Sequence, residues 1–284
     1  MFSDRIQKRK QLWWRNPNSS QTFIDHLRRL EMLLRRVGRE APESRWRKGE
    51  HWQRRLLNKL NSKEFAIRLN CPVPKLYWQG RFLTLSVLSS LPDQFVLKPA
   101  LGTTRKGVYV VADSRELLSD KPMTRDQLLR QVASTRGQLS HIPLLAEEFV
   151  SNENGEFQLP IEYKFHVFGD TIGAIEVVHR SASIDTPTTH RFYSPQWQPF
   201  DDPMQTSWES AEIVAAPNCL PQMIDCALKL GGAFDTFVRV DLYASEKGCV
   251  FGEFSSVPYS GQNLTDYANN LFETLWRQKL SDKI

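Results

Sequence analysis

Seven short β-branched and aromatic runs limit the architectures open to this 284-residue chain. They are Gln94–Lys98, Val108–Val111, Leu144–Val150, Glu162–Phe168, Thr171–Val178, Phe237–Tyr243 and Cys249–Phe254, each bounded by turn residues. Helical spacing occurs at 62–70, 124–137, 220–231 and 264–280. Strands and helices mix without strict βαβ alternation, which predicts an α+β fold rather than a doubly wound sheet.

Charge divides the chain differently. The whole sequence carries a net +5, but residues 1–60 hold 16 Lys/Arg against 6 Asp/Glu, a net of +10 that leaves the remainder at −5. Within this basic arm, residues 20–37 predict an amphipathic helix. Phe23, Ile24, Leu27, Leu30, Leu34 and Val37 share its apolar spacing, and Arg28, Arg29, Arg35 and Arg36 lie opposite. A second helix is expected from about Arg45 to Leu60. Three roles are open to the arm: capping the fold with its apolar stripe, lying on an anionic membrane surface, or binding an anionic polymer or carrier. Nucleic acid is the least favoured partner. Cys71, Cys219, Cys226 and Cys249 form no CxxC pair, so neither a zinc site nor a disulfide framework is expected. No apolar run is long enough for a membrane span, and the first residues carry no secretory signal. A cytoplasmic protein is expected, peripheral at the inner membrane face under the second role of the arm.

Three segments hold residues suited to chemistry. In the first, Phe95-Val96-Leu97-Lys98 is a strand ending in a lysine, followed by the loop Gly102-Thr103-Thr104-Arg105-Lys106-Gly107. Backbone N–H groups and hydroxyls in such a loop can meet phosphate oxygens, and Lys98 can hold one as a point charge. An ordinary basic turn fits the same residues equally well. In the second, Leu144-Leu145-Ala146-Glu147-Glu148 is an apolar strand ending in two acids, able to offer backbone groups to an adenine and an acid to a ribose. The following strand sets Lys164 among apolar residues, where the alternatives are an exposed sheet face or a charged cleft, because unpaired burial is costly. In the third, alternation puts Arg239, Asp241 and Tyr243 on one strand face, and Glu253 can stand opposite Asp241. Facing carboxylates repel unless a cation joins them. Mg²⁺, which commonly takes one or two carboxylates plus substrate phosphates, is one such cation, and an ion pair with Arg239 is the other.

The order of these segments resembles the ATP-grasp superfamily, and more narrowly its TupA-like branch, associated with teichuronopeptide and other cell-surface polymer synthesis. The matching text is NSKEFAIRLNCPVPKLYW (61–78), FVLKPALGTTRKGV (95–108), EYKFHVFGD (162–170), RFYSPQWQPF (191–200) and FVRVDLYASEKGCVFGEFSSVPYSG (237–261), within about residues 58–275. The resemblance implies two α+β lobes gripping ATP, Mg²⁺ bridging its phosphates, and a substrate carboxylate attacking the γ-phosphate to give an acylphosphate that an amine displaces. Carried over by residue, it implies Lys63, Lys98 and Lys164 as nucleotide contacts and Gly102, Thr103, Thr104, Lys106 and Gly107 as the phosphate loop. Glu147, Glu148, Phe149 and Val150 become the adenine hinge, with Glu148, Glu153 or Glu156 as the ribose acid. Asp241 and Glu253 become Mg²⁺ ligands. Arg239, Arg180 and Lys164 become the catalytic cations that neutralise the transferred phosphate or the substrate carboxylate. Many family members place Asn two residues after the metal Glu. Here Ser255 takes that metal position, and a hydroxyl is a weaker Mg²⁺ ligand than an amide carbonyl.

These readings divide the chain into the basic helical arm (1–60), a pre-grasp segment (61–94), a small lobe with the phosphate loop (95–150) and a large lobe with the metal site (151–284). The expected function is ATP- and Mg²⁺-dependent carboxylate–amine ligation on a small-molecule, peptide or glycopolymer substrate. Two other outcomes fit the same residues: a nucleotide-binding protein without turnover that works through its arm, or a phosphotransferase acting on a hydroxyl. The segment Thr189-His190-Arg191-Phe192-Tyr193 reads either as a substrate-carboxylate contact or as a surface loop.

Overall fold

The structure, a computed structural model, describes residues 52–102, 105–136, 142–180, 188–202, 204–206, 209–256, 258 and 263–280. The helix expected over 20–37, most of the basic arm, Thr103 and Thr104 lie outside the described residues. The described part of the helix expected over Arg45–Leu60 is two pieces. Trp52–Leu57 is a 3-10 turn, and a helix α1 runs over Lys59–Arg68. Asn58 makes the break. Its backbone is extended, and its side-chain oxygen accepts a hydrogen bond from Leu60 N at 3.0 Å, capping the new helix.

Six strands form the first sheet: β1 (Leu76–Gly80), β2 (Phe95–Pro99), β3 (Tyr109–Ala112), β4 (Arg115–Glu116), β5 (Lys121–Pro122) and β6 (Leu144–Glu148). Their order is β1-β6-β2-β3-β4-β5, with every neighbour antiparallel. Helices α2 (Leu85–Ser89) and α3 (Arg125–Arg136) supply Leu88, Leu128 and Val132 to a core with Phe95 and Leu97. Alternation along β2 then turns Val96 and Lys98 to the other face.

The second sheet contains β7 (Glu162–Phe168), β8 (Thr171–His179), β9 (Thr189–Tyr193), β10 (Glu209–Ser210), β11 (Phe237–Ser245) and β12 (Gly248–Ser255). Its order is β10-β9-β8-β7-β11-β12, antiparallel except for β10 beside β9. One face packs Phe165, Val167, Val238, Val240 and Leu242 against Met223, Ala227, Leu230 and Phe234 of helix α4 (Leu220–Phe234). Trp52 and Phe65 extend that core, so α1 and the 3-10 turn dock on the second sheet although they precede the first in sequence. The other face packs Phe168 and Phe237 against Phe272 and Trp276 of helix α5 (Asp266–Leu280). On β7 the same face carries His166, stacked on Phe272 at 5.1 Å, and then Lys164 and Glu162.

Every strand expected from the sequence is present, though β6 ends at Glu148 rather than Val150. Thr189–Tyr193 is strand β9, paired along β8, and not a surface loop. Strands β4, β5 and β10 have two residues each, too short to show a hydrophobic period.

Candidate active site

The polar face of the second sheet gathers an ion-pair cluster. The β7–β11 register sets Lys164 opposite Asp241, and the Lys164 ammonium lies 2.9 Å from Asp241 Oδ2 and 2.6 Å from Glu162 Oε2. Arg239, two residues before Asp241 on the same strand face, sends Nε and Nη2 to the two Asp241 oxygens at 2.7 Å each. Arg180, at the end of β8, donates to both Glu162 oxygens, at 2.5 and 3.0 Å. Burial alone would push Glu162 up. Lys164 and Arg180 overcome it and hold the carboxyl at about 2.

A β-bulge brings Glu253 to this face. Asp241 pairs with Glu253 and Leu242 with Phe251, leaving Gly252 as the extra residue. Without the bulge, Phe251 and Glu253 would share a face. With it, Phe251 and Phe254 both enter the α4 core while Glu253 turns outward opposite Asp241. The extra position is a glycine for a steric reason. A Cβ there would lie 2.9 Å from Tyr243 Cε2 and 3.1 Å from Asp241 O.

The first sheet contributes the facing half. Glu147 on β6 is buried and ion-paired with Lys98 of β2, while Lys63 Nζ of α1 lies 2.9 Å from its Oε2. Burial pushes Glu147 up, but the two lysines hold it below the usual carboxylate range. Burial pulls Lys63 down to about 8, against the attraction of Glu147. Lys59, one helical turn before Lys63, reaches Glu253 Oε2 at 3.3 Å. Desolvation disfavours the Glu253 anion, yet Lys59, Lys98, Lys164 and Arg239 together hold it low. Tyr243 is pushed well up by its burial and by Glu162, Glu253, Asp241 and Glu147 acting on it together, so the two halves form one electrostatic unit. Arg105 Nη2 lies 3.9 Å from Glu162. Lys59, Lys63, Lys98, Arg105, Lys164, Arg180 and Arg239 thus face Glu147, Glu162, Asp241 and Glu253. Seven cations less four anions leave three positive charges for a polyanion.

The family profile for "TupA-like ATPgrasp" matches residues 45–275. The chain belongs to the TupA-like ATP-grasp family. The D-Ala:D-Ser ligase VanG from Enterococcus faecalis has a similar fold, with a TM-score of 0.51 and 15% identity over 80% of this chain and 62% of that one. The D-alanine–D-alanine ligase from Bacillus anthracis gives 0.50 and 14% over 80% and 69%. The chain therefore spans about two thirds of the length of these ligases. No curated protein matches the sequence. The two-sheet α+β architecture is the ATP-grasp fold.

Against the ATP-grasp pattern, the structure unites some expected residues and leaves others apart. Lys63, Lys98, Glu147, Lys164, Arg180, Arg239, Asp241 and Glu253 form the cluster described above. Ser255 pairs with Arg239 across β11–β12, two residues from Glu253. Gly102 and Gly107 take left-handed backbones, φ 142° and 75°, at the ends of the basic loop, and Lys106 is exposed. Glu148 stays outside the cluster: it accepts Lys75 N at 3.0 Å and lies 3.4 Å from Lys247 Nζ. Phe149 is buried beside Phe157, and Val150 is half-buried. Among the three ribose candidates, Glu156 accepts from Asn152 and Gln158, and Glu153 from Asn218 N. Glu162, Lys59 and Tyr243 are the members that sequence reasoning did not assign a role. The Glu162-x-Lys164 alternation and the Lys59-x₃-Lys63 helical spacing were the available signals.

The residues present fit Mg²⁺ and a nucleotide. Asp241 and Glu253 face each other across the ladder, and the Glu253 side chain is 43% exposed. Two carboxylates with phosphate oxygens completing the shell suit Mg²⁺. Among the described residues no group of three or more His, Cys, Asp or Glu side chains is arranged to hold a metal ion, so phosphate or water oxygens would supply the remaining ligands.

Proposed function

We propose that this protein is an ATP- and Mg²⁺-dependent ligase that activates a substrate carboxylate as an acylphosphate and joins it to an amine. The observation that carries this reading is the Asp241–Glu253 pair, held on a bulged hairpin and ringed by cations from both sheets. Bound Mg²⁺, held by Asp241 and Glu253, would neutralise phosphate charge during transfer. Lys63 and Lys98 hold phosphate oxygens from the first-sheet side. Lys164 and Arg239, already placed on Asp241, stabilise the charge that builds on the transferred phosphoryl group. In this reading Arg180, ion-paired with Glu162 just past the end of β8, meets an anionic substrate group. The acid and the amine belong to an amino acid, a peptide or a cell-surface glycopolymer.

The test is release of ADP and phosphate from ATP and Mg²⁺ with candidate acid–amine pairs, and identification of the conjugate by mass spectrometry. Asp241→Asn and Glu253→Gln should each lower turnover by about 10²-fold or more while thermal melting confirms a folded protein. Full activity in both variants would refute the metal assignment. A phosphate ester as product, in place of an amide, would refute ligation.

A further inference from the structure

Helix α1 presents two lysines one turn apart, and they go to different sheets. Lys63 meets Glu147 of the first sheet, and Lys59 meets Glu253 of the second. Lys59 is fastened at three points. Its backbone N donates to Ala100 O at 2.9 Å, just past the end of β2. Its ammonium donates to Gly102 O at 3.2 Å, where the basic loop begins, and lies 3.3 Å from Glu253 Oε2. The residue is 8% exposed, so these contacts stand in place of water. Asp241 keeps two cations of its own, Lys164 and Arg239. Glu253 has one direct ammonium partner among the described residues, and that partner also holds the loop.

We propose that Lys59 is a positioning residue: it joins the Glu253 carboxylate to the Gly102 carbonyl in the nucleotide-free protein and yields Glu253 when Mg²⁺ arrives with the nucleotide. The inference rests on the reading of Glu253 as a Mg²⁺ ligand. An ammonium and a divalent cation compete for the same carboxylate, and the divalent ion with phosphate oxygens at hand wins. Metal loading therefore frees the ammonium that anchors the first residue of the loop. Metal occupancy and the anchoring of the loop are one equilibrium.

The full-length protein with Lys59→Met tests this in two ways, neither of which needs turnover. Mn²⁺ binding with the non-hydrolysable analogue AMP-PNP, followed by electron paramagnetic resonance, should tighten by about threefold, the size of a partly exposed ion pair. In EDTA, tryptic cleavage after Arg105 or Lys106, mapped by mass spectrometry, should accelerate by a similar factor. Lys59→Arg, which keeps the charge, should restore both values. Glu253→Gln removes the other end of the contact and should also speed cleavage in EDTA, which keeps the test open if Lys59→Met does not fold. Unchanged or weaker Mn²⁺ binding in Lys59→Met, or unchanged cleavage in the variants, overturns the proposal. Because the EDTA arm contains neither metal nor substrate, its outcome is separate from whether ligase turnover is found.

Discussion

Replacing Glu162 by glutamine removes one charge from the cluster and keeps the side chain's shape. The native carboxyl lies at about 2, against an ordinary value of 4.5. A difference of this size corresponds to roughly 3 kcal/mol of stability near neutral pH. The sign follows from which state binds more protons. Between pH 4.5 and 2 the unfolded chain takes up a proton that the native protein refuses. The contribution is therefore complete above pH 4.5 and is lost as pH falls toward 2. Wild type should therefore exceed Glu162→Gln by roughly 3 kcal/mol at pH 7, and the gap should shrink to roughly 1 kcal/mol by pH 3. Lys164 and Arg180 are left without their shared anion in the variant, which is why the loss exceeds that of a surface pair. Urea unfolding by tryptophan fluorescence at each pH measures the difference. A gap below about 1 kcal/mol at pH 7, or one that does not shrink on acidification, would refute the view that Glu162 is held as an anion by these two cations.

Two further expectations come from other parts of the fold. Lys63, pulled down to about 8, loses its proton as pH rises through that value, so Mg²⁺·AMP-PNP should bind about tenfold more weakly at pH 9 than at pH 7. Calorimetric titration should show this slope in wild type and its absence in Lys63→Met. On α4, a Cβ at Gly231 would lie 2.3 Å from Val167 Cγ1 and 3.2 Å from Gly169 O, whereas at Gly232 the nearest atom is Gly169 O at 3.9 Å. Gly231→Ala should therefore cost about 1–3 kcal/mol despite alanine's helix preference, and Gly232→Ala should gain up to about 1 kcal/mol. Equal melting temperatures for the two variants would contradict the close α4–β7 packing.

The local sequence determined the strands and the main helices, because alternation in Glu162–Phe168 and Phe237–Tyr243 and the apolar spacing of 220–231 are short-range patterns. It also determined that Arg239, Asp241 and Tyr243 share a strand face, since a strand's period is two. Glu253 was legible only as a candidate opposite Asp241. The register and the Gly252 bulge decided that it faces the cleft while Phe251 and Phe254, three residues apart, both enter the core. The break at Asn58 was hidden because Asn is compatible with a helix interior and also caps one. Glu162 and Lys59 gained roles only in three dimensions. The Glu162-x-Lys164 spacing shows a shared strand face but not the contact with Arg180, and Lys59 meets Gly102 and Glu253, both distant in sequence. The order of the segments pointed to ATP-grasp, while strand register and the packing of α1 brought four acids and seven cations into one site.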